Sequence, residues 1–408
     1  MTTAWQSLVR STAPTPDPPP ELYHCTWKSI MTARFIQIHT LASYPAVLLN
    51  RDDAGLAKRL PYGGSSRIRV SSQCLKRHWR TVKDEWALAE IGAPMAVRSR
   101  EIVERKIMPK IAGAADEVAG AIRVALVKKL FGDKSVEVKS RQALLLGQPE
   151  IDYLANLAVQ AAAAGGVKQA EEVIEAAIGQ GAGKKNLAAM REGATLAAGL
   201  ESALFGRMVT SDPEANTDAA IHVAHAFTVH AEESESDYFT VVDDLRQADP
   251  SEAGTAGIFE TELTSGLFYG YVVIDVQALV SNLGGEHALA AKVVEHLLHL
   301  IATVSPGAKK GSTAPYAYAE LMLVETGKRQ PRSLAGAFRN AVDLKSNDLL
   351  RSATTRIAEQ LRQFDGAYGQ AESRAALCTT DFDLPGIAHT TPLDGLAAWA
   401  AAAVREPG

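Results

Sequence analysis

Residues 266–275, GLFYGYVVID, constrain this chain more than any other stretch. Apolar and aromatic side chains alternate along them, which is the period of a strand. A strand needs neighbours, because its backbone N–H and C=O groups must be paired. RFIQIHTL (34–41) offers one, through Phe35, Ile36, Ile38 and Leu41, and AYAELMLVET (317–326) another. Between the last two strands, EHALAAKVVEHLLHLIATV (286–304) reads as a strong amphipathic helix.

The remaining segments fall into place around these four. RIRV (67–70) is a short extended piece, after a loop over 42–66. Ser71 and Ser72 then supply an N-cap for a helix from Gln73 to Trp79. On that helix Cys74, Leu75, His78 and Trp79 share one side. Gln73, Lys76, Arg77 and Arg80 share the other. Residues 84–200 read as helices punctuated by glycine, and 201–210 as the end of a strand. A helix is expected over 218–230. The acidic, turn-rich stretch 232–264 reads as a projecting loop or hairpin that carries Ile258, Phe259 and Leu263. With insertions removed, the order is strand, helix, strand, strand, helix, strand. That is an α+β chain with a ferredoxin-like core. The RNA-recognition version of this core binds single-stranded RNA on its sheet.

One charge anomaly stands out. The formal net charge is −5, yet residues 50–80 gather Arg51, Lys58, Arg59, Arg67, Arg69, Lys76, Arg77 and Arg80. The same stretch holds Gly63-Gly64 and small hydroxyl residues. Phosphates need cations for affinity and backbone N–H groups for positioning. Glycine lets a backbone approach closely, and a helix N-terminus favours anions. The alternative is a solvated basic face that serves solubility. SPGAKKG (305–311) repeats the recipe with Lys309 and Lys310. It is a second phosphate contact or a surface turn. It lacks the residue order of a nucleotide-binding loop, so ATP is not expected.

Other chemistries find little support. His222, His225 and His230 lack a zinc-binding spacing, and no cysteine lies near them. Asp52-Asp53 and Asp243-Asp244 are possible carboxylate pairs for metal-assisted cleavage. For Asp52-Asp53 a turn cap is the simpler reading. No Ser/His/Asp or catalytic-cysteine arrangement is recognisable. Neither a metal nor another cofactor is expected. Cys25, Cys74 and Cys378 are isolated, which fits a reducing cytoplasm. No apolar run approaches the ~20 residues of a membrane span. Residues 1–30 are rich in Pro, Thr, Ser and Asp and read as a disordered tail or a misassigned start.

Eight blocks in order carry a resemblance. They are FIQIH (35–39), LNRDD (49–53), YGGSSRIRVSSQCLKR (62–77), GRMVTS (206–211), AHAFTVH (224–230), SDYFTVVDDL (236–245), SGLFYGY (265–271) and PGAKK (306–310). Together they resemble the CasC family, the backbone subunit of the type I-E CRISPR Cascade complex. The resemblance implies a right-hand shape: a ferredoxin-like palm, a helical fingers insertion and a protruding thumb. The palm would comprise 31–83, 201–231 and 265–408, with fingers at 84–200 and the thumb at 232–264.

The implied function is non-enzymatic. Copies would polymerise along a CRISPR RNA, kink it at regular intervals and present its bases to target DNA. Partners would be that RNA, target DNA through the guide, further copies, and the large, small, repeat-processing and 5′-handle-binding subunits. RNA contacts would fall at Arg51, Lys58, Arg67, Ser71, Gln73, Lys76, Arg80, Met208, Lys309 and Lys310. Ile258, Phe259 and Leu263 would wedge at the kink. The chain departs from the pattern at Ser65 and Ser66, where basic character is usual. An endoribonuclease of the same superfamily, cutting target RNA at regular spacing, is the alternative.

Overall fold

The computed structural model describes residues 33–132, 137–178, 196–208, 216–240, 258–346, 348–381, 383–387 and 390–405. In chain order the elements are β1 (Phe35–Val47), β2 (Arg59–Tyr62), β3 (Ser65–Val70), α1 (Ser72–Thr81), β4 (Ala96–Ser99), α2 (Asp116–Phe131), β5 (Leu144–Gly147), α3 (Gln148–Ala163), α4 (Val167–Ala177) and α5 (Leu200–Phe205). Then come β6 (Ile221–Val223), β7 (Ala226–Thr228), β8 (Ser234–Thr240), β9 (Ile258–Asp275), α6 (Val276–Asn282), α7 (His287–Thr303), α8 (Lys310–Thr313), β10 (Leu321–Gly327), α9 (Leu349–Tyr368), β11 (Ser373–Cys378) and α10 (Leu393–Ala402).

The GLFYGYVVID strand organises the sheet. It forms the inner half of β9, which pairs antiparallel with β1, and β1 pairs antiparallel with β10. The strands run β11-β10-β1-β9-β7-β3-β2, with β6 and β8 also on β9. The core order β10-β1-β9-β6/β7, with α1 in one connection and α7 in the other, is the ferredoxin-like arrangement expected. Alternation assigns the two faces. Ile36, Ile38, Val272, Ile274, Met322 and Val324 point toward α7 and α10. Leu41, Leu267, Tyr269, Leu321 and Leu323 pack with α9. A mixed α+β fold with a central antiparallel sheet and helical insertions results.

Three local expectations are corrected. Residues 200–205 form a helix, not a strand end: Leu200, Ala203 and Leu204 are buried at helical spacing between Gly199 and Gly206. Residues 221–228 are two short strands, not a helix. The long β9 needs partners, and Ile221 and Phe227 are buried where β6 and β7 pair with it. The loop expected over 42–66 is partly strand. β1 runs on to Val47, and β2 and β3 form a hairpin whose two-residue turn is Gly63-Gly64. Both glycines have positive φ, as the twist of a tight hairpin requires. A Cβ on Gly63 would lie 1.4 Å from the Arg339 carbonyl oxygen. The glycine pair therefore serves the turn and its packing.

The segment read above as helical has its own core. Ile102, Ile107, Ile122, Leu126, Leu154 and Ala158 bury one another among α2, α3 and α4. It is not wholly helical, because β4 and β5 pair within it. The stretch read as a projecting hairpin contains the β8–β9 ladder, with Ser234 opposite Thr264 and Thr240 opposite Ile258. β8 is exposed along its whole length. Asp243-Asp244 lies outside the described residues.

Candidate nucleic-acid interface

α1 is the natural starting point. Ser71 caps it by accepting from the Cys74 amide at 3.3 Å, and the Ser71 amide donates to Asn50 Oδ1 at 2.9 Å. Ser71 is itself buried, so its hydroxyl belongs to the cap. Trp79 is buried and Leu75 packs beside it on the sheet. The opposite side leaves Gln73 and Arg77 exposed and Lys76 and Arg80 half-buried.

Tertiary structure adds cations from distant segments. Burial, then the like charge of Arg98 on β4, pulls the Lys76 ammonium below its ordinary value. Burial and Arg98 act on Arg80 in the same way, partly offset by Glu201. At the other end of α1, burial raises the Cys74 thiol, and Lys58, Arg77 and Lys310 oppose that rise. Lys310 and Arg77 also hold His78 down, after burial. Arg69 contacts His225 Nδ1 at 2.9 Å, and burial, Arg69 and Lys58 keep that imidazole neutral-leaning. A ten-residue helix is about 15 Å long. Lys76, Arg77 and Arg80 thus run along the helix, with Lys58 and Lys310 flanking it near Cys74 and Arg98 near Lys76 and Arg80.

Several sequence-predicted cations lie elsewhere. Arg67 is fully buried. Its guanidinium donates to the Thr228 carbonyl and to the Phe338 carbonyl, each at 3.1 Å. That side chain joins β3 to the far side of the core and is out of reach of a phosphate, which corrects the expectation. Arg59 donates to Glu232 at 2.7 Å and to Glu262. Arg51 is exposed, beside the Asp52 turn. Asp52 Oδ1 accepts from the Ala54 and Leu56 amides, so it is the turn cap expected.

The second Gly/Lys loop docks here through the Ala308 amide on the Leu48 carbonyl at 2.9 Å. Its two lysines part company. Lys310 is exposed toward α1, whereas Lys309 bonds Thr261 Oγ1 and lies 5.7 Å from the Phe239 ring. Phe239 stacks on Phe259 at 5.5 Å, and both rings are exposed. Leu263 is half-buried, and Ile258 occupies the end of β9. Met208 is 75% exposed. It follows Arg207, whose guanidinium meets the buried Glu150 carboxylate at 2.6 Å.

Helices cover both faces of the central sheet. One face lies under α7 and α10 and the other under α9. The cations border the sheet on α1 and the adjoining loops. Arg98 was missed because 84–200 read as helix. Only the β4–β5 pairing turns that arginine toward α1.

Among the described residues, no group of three or more His, Cys, Asp or Glu side chains is placed to hold a metal. Among them, no helix is long and apolar enough to cross a membrane.

The comparisons with known proteins agree with this architecture. The chain is similar to a solved chain described as "CRISPR RNA-guided surveillance complex, pre-nicking", at 26% identity and a TM-score of 0.73. The match covers 90% of this chain and 100% of that one. A second, "CRISPR RNA-guided surveillance complex", shares the fold at 22% identity and a TM-score of 0.56, covering 90% and 99%. No curated protein matches the chain significantly. The family described as CT1975-like protein matches residues 36–399. With a family match over nearly the whole chain, the protein belongs to the CT1975-like family.

Proposed function

We propose that this chain is a non-catalytic, RNA-binding backbone subunit of a CRISPR surveillance complex, of the CasC kind. Copies polymerise along the CRISPR RNA, kink it, and leave its bases free for target DNA. The other Cascade subunits complete the assembly. The observation that carries this reading is the cationic face of α1, Lys76, Arg77 and Arg80, joined by Lys58, whose amide bonds the Asn50 carbonyl beside the Ser71 cap, and by Lys310 and Arg98. Lys58, Arg98 and Lys310 come from segments outside α1, and a merely solvated face would not require them to meet it. Aligned cations of one sign favour a polyanion. The similar structures are RNA-guided surveillance complexes, which makes a guide RNA the fitting polyanion.

The projecting β8–β9 ladder is the thumb in this reading, and the core around α2 to α4 is the fingers. Phe239 and Phe259 are the exposed aromatic pair on the thumb, available beside the kink. Lys309 ties the thumb to the palm. Asp52 already commits its Oδ1 to turn amides, so it lends the nuclease alternative no support.

The test is co-expression with the neighbouring genes and a CRISPR array, followed by sequencing of the co-purified nucleic acid. Uniform RNA with repeat and spacer sequence is expected. Heterogeneous RNA would remove the guide role. Regularly spaced cleavage of complementary RNA by the assembled complex in magnesium would overturn the non-catalytic assignment.

A further inference from the structure

Two exposed tyrosines follow the lysine loop, and the role proposed for the cationic helix leaves them unused. Tyr316 and Tyr318 are each 72% exposed. Between and beside them Pro315 and Ala319 are buried, and Ala317 is half-buried. That alternation places both rings on the same outward side of an extended segment. The segment is pinned from behind. The Ala317 amide donates to Ser305 Oγ at 2.9 Å, and Ser305 Oγ donates to the Ala317 carbonyl at 2.9 Å. The Ala319 amide donates to the Ala302 carbonyl at 2.8 Å. A fixed backbone holding two large exposed rings is unusual unless something covers them, since exposed aromatic area gains by burial.

Spacing and charge indicate what covers them. Residues i and i+2 of an extended segment lie about 6.6 Å apart. One planar base fits between two rings spaced in this way, and bases stack readily on aromatic faces. The Lys310 ammonium lies 5.8 Å from the Tyr316 ring centroid. The same lysine acts on Cys74 and His78 of α1, the cationic helix. The rings therefore stand at the border of a positive surface, where a protein partner would have to bring acidic groups and a single strand brings its phosphates as a matter of course.

We propose that Tyr316 and Tyr318 clamp an unpaired nucleobase of a single-stranded RNA whose phosphates pass Lys310 and α1. This rests on the RNA-binding function proposed for the chain and adds to it a site for the base itself. Stacking of this kind is tolerant of base identity, because every base has a π-face. It would suit a guide of variable sequence.

The test uses the full-length chain and a single-stranded RNA that carries 2-aminopurine at successive positions. Binding to the wild type should quench the fluorescence of the clamped position. Tyr316→Ala with Tyr318→Ala should abolish that quench and weaken affinity about tenfold or more. The slope of log affinity against log salt should stay as in the wild type, because the same phosphates are still neutralised. Tyr316→Phe with Tyr318→Phe should keep both quench and affinity. A double-alanine variant with wild-type affinity and quench would overturn the proposal. If that variant instead self-associates less in sedimentation while it binds RNA normally, the rings belong to a protein interface and the clamp is wrong. A wild-type chain that binds no RNA would overturn the RNA-binding function and the clamp with it, so the two failures are distinguishable.

Discussion

The guanidinium of Arg59 lies against the carboxylate of Glu262 and so ties the β2–β3 hairpin to the root of the β8–β9 ladder. Glu262 also accepts from the Ala57 amide at 2.6 Å, and Glu232 joins through Arg59 Nε and Ser66 Oγ. Glu232 is therefore engaged within its own chain, whereas Glu233, Glu235 and Asp237 face solvent. Glu262 is 7% exposed, with Arg59 as its cationic partner.

Glu262→Gln should cost about 1–3 kcal/mol in urea unfolding, as expected for a charge-assisted hydrogen bond. Paired with Arg59→Ala in a double-mutant cycle, it should show positive coupling. Hydrogen exchange should quicken along β8 in either variant. Additive costs with unchanged β8 exchange would mean that the ladder does not depend on this tie.

Arg67 makes the opposite case from its neighbours. Arg67→Ala leaves the Thr228 and Phe338 carbonyls without their donor in the core, and is expected to cost about 2–4 kcal/mol. Arg77→Ala, at an exposed position, should change stability by less than about 0.5 kcal/mol. Thermal melts of the two variants check this. Equal melting temperatures would contradict the structural role given to Arg67.

Lys76→Ala with Arg80→Ala should flatten the slope of log affinity against log salt for single-stranded RNA. The expected change is about 0.7 for each phosphate no longer neutralised. Arg98→Ala should act in the same direction, although that residue lies on β4, away from α1 in sequence. Filter binding across a salt series is sufficient. An unchanged slope in both variants would remove α1 from the phosphate path.

A buried polar network gives a pH prediction. His39 accepts or donates at Tyr269 Oη, 2.9 Å away, and sits 3.3 Å from Glu325. Burial lowers the His39 pKa below its ordinary 6.5, although Glu325 opposes this. Burial would raise the Glu325 carboxyl, but hydrogen bonds from His39 and Arg332 hold it well below the usual range. In both cases the unfolded chain binds protons before the folded one, so stability is full above pH 6.5 and declines on acidification. His39→Gln should flatten that decline just below pH 6.5, as read from denaturant midpoints. The Glu325 contribution, which disappears at lower pH, should persist. A variant with the wild-type slope would assign the dependence to other lowered histidines, such as His78 and His230.

Much of the framework was legible in the residues. Alternation in GLFYGYVVID and RFIQIHTL, the apolar stripe of 286–304 and the Ser71 cap are local signals, and local backbone preference with burial decides such elements. The cationic helix face could be drawn from spacing alone. What stayed hidden depended on distant partners. HVAHAFTVH fits a helix or a strand by pattern, and only the unpaired edge of β9 makes it strand. Arg59, Arg67 and Arg77 read as equivalent basic residues. The fold places one on the acidic root of a ladder, one in the core and one in solvent, because a charge takes its role from what desolvates or pairs it. Lys310 and Arg98 joined α1 only when the chain had folded. The sequence determined which surfaces would be apolar and which helix basic; tertiary packing decided which cations remained available, since every guanidinium that finds a buried carbonyl or carboxylate is withdrawn from the surface.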